Sequence, residues 1–359
     1  MKPYFGIDLV RELCGLFGPS GCEEAVRDFI AEQIEGYCDS YRIDRAGNLI
    51  ATIKGRGPDY KEENPDKFLI SAHMDEVGMM VTRIDDAGYL HFDTVGGIDP
   101  RVLCGRQVTV MHGETAVPGV IASKAIHLQS KEERTKVTPL KKLYIDIGAT
   151  DAEDAAKYAS VGDYATFDSD FVTFGKDNTR MKGKALDDRA GCAMLIEIMR
   201  NLHDNPCDLP FDVCFAFTTC EEVGISGANV AAFEVAPDTA IILEATAVND
   251  LPGAGRNFVS KQGEGGTLSL CDRGTIYDMG FIDFARQTAE ENGLKVQLKQ
   301  AFTGGTDAAH IQRAMTGVRV LGLSLPTRYI HSASNVVMYK DYESSRDLVL
   351  AMLRAWQLA

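Results

Sequence analysis

No C-x-x-C pair occurs among the nine cysteines, at positions 14, 22, 38, 104, 192, 207, 214, 220 and 271, and their number is odd. A disulfide framework or a thiolate zinc knuckle needs paired spacing, so neither is expected. Several of these cysteines sit inside apolar runs, such as Cys214 in FDVCFAFTTC and Cys192 in AGCAMLIEIM. A reduced thiol there behaves as a small hydrophobe, and a reducing cytoplasm is its simplest home. No run of 18 apolar residues is present, so no transmembrane helix is expected. The opening residues, MKPYFGIDLVREL, show no apolar core followed by a small-residue cleavage site, which fits a cytosolic chain. Cations are scarce: 37 Lys and Arg against 52 Asp and Glu leave a formal net charge of −15. Binding to a phosphate backbone or an anionic membrane needs clustered cations, so this balance argues against both as partners. An acidic surface does concentrate metal ions. The complete GxSxG, Walker A, HExxH and GxGxxG motifs are all missing, as are internal repeats, heptads and low-complexity segments.

The chain has 359 residues, enough for about two domains or one large one with a full core. IDLVRELCGLF and CEEAVRDFIAEQI carry apolar residues at helical spacing, with GPSG breaking the helix between them. YRIDRAGNLIATIKG reads as a hairpin turning near Ala46 and Gly47, and KFLISAH, residues 67–73, as a buried strand. From Val77 the texture changes to short strand-like runs (VGMMVTRI, YLHFDTV, RQVTVMH, VPGVIAS, KLYIDIG) separated by Gly, Asp and Pro turns. After Lys182, helix and buried strand alternate again: ALDDRAGCAMLIEIMRNL, FDVCFAFTT, TAIILEA, IYDMGFIDFARQTAEENG, VQLKQAF, VRVLGLSL and DLVLAMLRAW. This pattern predicts an α/β domain with a sheet sandwiched by helices, residues 1–75 plus 168–359, interrupted by a small β-rich domain, residues 76–167. LPGAGRNFVSKQGEGG, residues 251–266, is the one long flexible stretch expected.

The predicted strand ends carry the chemistry. FLISA leads into His73 and Asp75, FAFTTC into Glu221 and Glu222, and AIIL into Glu244. VRVLGLSLP is followed by the loop TRYIH, which delivers His331, and KALDDRAG sets Asp187 before a helix with Asp188 as its N-cap. In open α/β sheets ligands gather at the carboxyl ends of the strands, so these side chains can meet in one crevice. Two histidines and several carboxylates suit zinc, cobalt or manganese. Singly, each has a plain alternative: a solvated loop for Glu221 and Glu222, capping for Asp187 and Asp188. His91, His112 and His127 belong to the β unit and read as structural; His203 and His310 as surface residues on helices. The Met pairs read as core filling. GGTDAAH, residues 304–310, is either a helix start capped by Thr306 or Asp307, or a loop on the substrate side of the crevice.

Together, SAHMDEVGMMV, KALDDRAG, TTCEEVGISGA and TRYIHS, in this order, resemble the di-metal aminopeptidases that include the glutamyl, deblocking and tetrahedral (TET) aminopeptidases, some of them labelled endoglucanase M. The likeness spans essentially the whole chain, from the N-terminal helices through GVIASKAIHL to the GGTDA loop. It implies a di-zinc exopeptidase-like fold and two divalent ions per subunit, Zn²⁺ or Co²⁺, with Mn²⁺ as a third candidate. Asp187 would bridge the ions, His73 and Glu244 complete one, and Glu222 and His331 the other. Glu221 would be the general base that activates the water shared by the ions, and Asp75 the residue that orients His73. The β-rich domain would mediate dimerisation, with dimers assembling into tetrahedral dodecamers, and the substrates would be peptides cut at their N-termini. Two positions depart from the pattern: Glu244 stands where many relatives have Asp, and Ala125-Ile126 where relatives often carry a proline pair.

Other functions make different demands. A carboxypeptidase or N-acyl-amino-acid deacylase would use the same ions on a different substrate end. A metal-free glycosidase could pair Asp75 with Glu221 but has no need of His73, His331 or Asp187. A catalytically dead assembly protein would have little reason to keep Glu221 beside a full ligand set.

Overall fold

The computed structural model describes residues 3–253 and 259–356. The middle of the glycine-rich loop, expected to be flexible, lies outside the described residues. An eight-stranded mixed sheet runs in the order Ser40–Ile43, Leu49–Ile53, Asp212–Thr218, Lys67–His73, Thr239–Ala247, Arg319–Thr327, Gly266–Leu268, Val296–Leu298. Its four central strands are parallel: His73 pairs with Thr218, Ile242 with Ser71, and Glu244 with Ser324. Strands covered on both faces need apolar residues at successive positions, and VCFAF, FLISA and AIIL supply them. Parallel register also brings the carboxyl ends of all four strands to one rim.

The helix Leu186–Asp204 packs on Lys67–His73 and Thr239–Ala247, and beneath Gly6–Gly15 and Tyr339–Ala355. It is buried almost all round, so its small and apolar residues face protein on every side. Asp187 and Asp188 depart from helical geometry, and the peptide between them is cis. Asp188 Oδ1 accepts the Gly191 N–H at 3.2 Å, so the regular helix starts after an Asp188 cap, as the sequence predicts.

Three elements differ from expectation. The last helix begins at Tyr339, well ahead of DLVLAMLRAW. Its first turns bury polar groups instead of aliphatic ones: the Tyr342 hydroxyl donates to Glu197 at 2.8 Å, so apolar periodicity gives no sign of them. Ser226–Val235 is a helix built on small residues; a Cβ at Gly227 would lie 2.2 Å from the Thr219 carbonyl. Asn335–Met338 is a strand that pairs with Arg180–Gly183 in a separate three-stranded sheet.

Residues 78–167 form a closed barrel in the order Gly78–Ile84, Leu90–Val95, Ile145–Asp146, Thr115–Ile121, Gln107–His112, Tyr164–Phe167. Alternating residues such as Val108, Val110, Val117 and Ile121 fill it. A buried ionic cluster ties the approach to the barrel to the start of the helix Leu186–Asp204. Glu76 accepts from Lys184 Nζ at 2.5 Å and lies 3.7 Å from the Arg189 guanidinium. Lys184 also donates to the Leu16 carbonyl and Arg189 to those of Leu13, Gly18 and Met74. Glu76→Ala leaves two buried cations without their carboxylate, at a cost of about 3–5 kcal/mol. The expected result is a lower urea midpoint, while Glu76→Leu combined with Lys184→Met recovers part of the loss.

Candidate metal centre

His73 closes the strand Lys67–His73, and Glu221 and Glu222 occupy the turn after Asp212–Thr218. Glu244 lies within Thr239–Ala247, His331 in the loop after Arg319–Thr327, and Asp187 at the mouth of the long helix. The fold gathers five of these six side chains within contact distance. His73 Nε2 is 3.3 Å from Asp187 Oδ1 and 3.3 Å from Glu244 Oε1. His331 Nε2 is 3.3 Å from Asp187 Oδ2 and 3.3 Å from Glu222 Oε2. Asp187 therefore offers one oxygen to each imidazole.

The other nitrogen of each ring identifies its protonation. His73 Nδ1 lies 3.1 Å from the Asp75 carbonyl, and His331 Nδ1 lies 2.7 Å from that of Gly97. A carbonyl oxygen only accepts, so both Nδ1 atoms carry a proton. Each Nε2 is then aimed at two carboxylates, where a neutral ring would oppose lone pair to lone pair. A second proton or a cation between them removes that conflict. Asp187 Oδ1, Asp188 Oδ2, Glu222 Oε1 and Glu244 Oε2 are moreover buried without a hydrogen-bond partner. Ligand atoms of His73, Asp188 and Glu244 lie within 4.8 Å of one another, as do those of His73, Asp187 and Glu222. The residues present thus fit divalent ions of the zinc and cobalt type.

Charge crowding has the expected electrostatic effect. Burial, then the negative charge of Glu244, pushes Glu221 up to about 11. Burial and Asp187 raise Glu222 to about 8, and burial, opposed by His73, raises Glu244 to about 7. Burial also lifts Asp188 well above the carboxylate range. Asp187 goes the other way: burial would raise it, but the imidazoles of His331 and His73 beside it outweigh burial. Burial would lower both histidines, but their carboxylate neighbours hold His331 at about 9 and His73 well above its ordinary value. So many carboxylates cannot all ionise in a buried space unless positive charge is placed among them.

Asp75 sits behind the cluster. Its carboxylate accepts the Ser20 hydroxyl at 2.6 Å and the backbone N–H groups of Glu221 and Glu222 at 3.0 and 3.1 Å. It is 3.4 Å from His73 Nδ1, farther than its own backbone carbonyl. Asp75 accordingly fixes the turn that carries Glu221 and Glu222 as much as it steers the imidazole.

Sequence reasoning did not find Ser20, Gly97 or Thr218, and saw Asp188 only as a cap. For GGTDAAH the helix start is observed, and Asp307 lies beside the cluster. Thr306 Oγ1 accepts the Ala308 N–H at 3.2 Å at the start of a short helix, Ala308–Ile311. Asp307 instead takes the Thr218 hydroxyl at 2.5 Å and keeps Oδ1 buried without a partner, close enough to raise Glu221. Three of the five remaining histidines have partners of their own: His91 with Asp85 at 2.9 Å, His112 with Asp163 at 2.8 Å, and His203 edge-on to Tyr37. Among the described residues no helix is long and apolar enough to cross a membrane.

The profile of the M42 glutamyl aminopeptidase family matches residues 47–348. A glutamyl aminopeptidase of Lactococcus lactis is 29% identical over 96% of this chain and 95% of its own length. The TET aminopeptidase of a marine-sediment archaeon, Thaumarchaeota archaeon SCGC AB-539-E09, superposes with a TM-score of 0.91 at 34% identity, covering 98% of this chain and 97% of that one. The TET1 peptidase of Pyrococcus horikoshii, which can assemble into a tetrahedron or a large octahedral shell, gives 0.85 at 34% identity over 98% and 99%. With its mixed sheet, inserted barrel and buried His/Asp/Glu cluster, the chain belongs to the M42 glutamyl aminopeptidase family and is a metallo-aminopeptidase.

Proposed function

We propose that the enzyme removes N-terminal residues from peptides with two divalent cations, Zn²⁺ or Co²⁺, with Mn²⁺ as a third candidate, placed on either side of Asp187. His73, Asp187 and Glu244 would hold one, and Asp187, Glu222 and His331 the other. The observation that carries this reading is the pair of Nε2 atoms, each 3.3 Å from a different oxygen of Asp187. When bound, two such ions would supply a Lewis acid for the scissile carbonyl and lower the pKa of the attacking water. Glu221, held by its backbone to Asp75, takes the proton from that water and returns it to the leaving amine.

We assign residues 76–167 to self-association, as dimers that build a tetrahedral dodecamer. Exposed apolar residues on this unit, among them Ile126, Leu128 and Val137, and the shells formed by the P. horikoshii peptidase support that assignment. Nine free cysteines support a reducing compartment, the cytoplasm.

A chelate-and-restore assay tests the activity. The stripped protein receives Zn²⁺, Co²⁺ or Mn²⁺ and two peptides, one with a free and one with an acetylated amino terminus, and mass spectrometry follows both ends. Metal-dependent loss of the first residue from the free peptide alone is expected; loss from the carboxyl end, or of the acetyl group only, overturns the reading. Glu221→Gln is expected to lower kcat by about 10²–10⁴-fold with the cation stoichiometry unchanged. Cation uptake also has a definite pH sign. His331 at about 9, Glu222 at about 8 and Glu244 at about 7 retain protons near neutrality that ligation must displace. Uptake therefore releases protons, and affinity rises with pH between about 6 and 9. Calorimetry in buffers of different ionisation enthalpy counts the protons released, and a count of zero overturns the assignment.

A further inference from the structure

The inserted barrel reaches into the metal centre at two points. Its strand Leu90–Val95 ends in Gly96 and Gly97, and the Gly97 carbonyl accepts from His331 Nδ1 at 2.7 Å. Gly96 holds φ +84°, and a Cβ there would lie 2.9 Å from Val77 and 3.2 Å from the Glu222 Cβ, so this turn rests directly on both. Two residues beyond His331, Ala333 is buried in the barrel's own apolar cluster together with Ile98. Between these anchors His331 has φ +57°, a left-handed conformation that non-glycine residues keep only where surrounding contacts impose it. His73, in contrast, is oriented by Asp75, two residues along its own segment.

We infer that the Gly97 carbonyl is a positioning group for His331, so that the barrel completes the His331–Glu222 metal position while the α/β portion alone builds the His73–Glu244 position. The inference rests on the reading of His331 and Glu222 as ligands. A carbonyl that accepts from Nδ1 fixes the proton there and leaves the Nε2 lone pair for a metal ion. Without that acceptor the ring turns freely, and the tautomer with the proton on Nε2, which cannot ligate, becomes populated.

Gly97 is the place to break this contact. A Cβ at Gly97 would sit 3.5 Å from His331 Nδ1, an ordinary contact, and the branched methyls of valine would extend toward the ring and displace it. The full-length protein, stripped of metal, is titrated with Co²⁺ against a chromophoric competing chelator, which resolves two stepwise affinities. His331→Ala is expected to abolish one step. Gly97→Val is expected to weaken the same step by about 10–100-fold and leave the other within about twofold. If His331→Ala leaves both steps intact, the ligand reading itself fails. If His331→Ala removes one step but Gly97→Val changes neither, or weakens both alike, the role of Gly97 is overturned. Ala333→Val, which crowds the barrel cluster beneath the same loop, carries the same expectation and serves where Gly97→Val does not fold.

Discussion

The centre depends on one buried negative charge, the carboxylate of Asp75. Three donors reach it, the Ser20 hydroxyl and the N–H groups of Glu221 and Glu222, with His73 Nδ1 close by. Burial would raise its pKa, but the contact with His73 and these bonds hold it below the usual range, so it stays ionised. An amide at this position would turn hydrogens toward at least one N–H and leave a buried donor unmatched. The parallel register that pairs His73 with Thr218 makes the arrangement achievable, because it sets the two strand ends side by side. With Asp75 in place, the backbone N–H groups of Glu221 and Glu222 share one anchor.

Much of this site was legible in the sequence because strand ends are legible. Apolar runs such as FLISA and AIIL stop where a side chain must leave the core, and His73, Glu221, Glu222 and Glu244 stand at or beside those stops. The partners of these residues were not legible, for reasons that differ from case to case. Gly97 acts through a backbone carbonyl, which has no side-chain signature. Ser20 and Thr218 are common residues whose meaning comes from a neighbour 55 or 89 positions away in the chain. Asp188 caps the helix through Oδ1 and also lies beside His73 and Glu244, and a sequence pattern shows only the first. At the level of fold, aliphatic periodicity marked the helices that bury Leu and Ile. It gave no sign of Ser226–Val235, which packs through small residues, or of the first turns of Tyr339–Ala355, which are fixed by hydrogen bonds to Glu197.

The position of the insertion follows from the same geometry. The barrel begins at Gly78, three residues after Asp75, and its first and last strands pair directly, Met79 with Ala165. An inserted unit whose ends are neighbours adds little loop-closure entropy to its host, so it can interrupt the α/β domain at a tight spot. The tight spot here is the segment between two groups of metal-centre residues, His73 and Asp75 before it and Asp187 after it. Glu76, Lys184 and Arg189 form their buried cluster across that interruption, joining the residue after Asp75 to the two sides of the Asp187–Asp188 pair. A barrel placed elsewhere in the chain could not set a turn against Glu222 and a carbonyl against His331. The insertion point is therefore part of how the cluster is built, since it sets Gly96 and Gly97 against Glu222 and His331 at the rim where the strand ends meet.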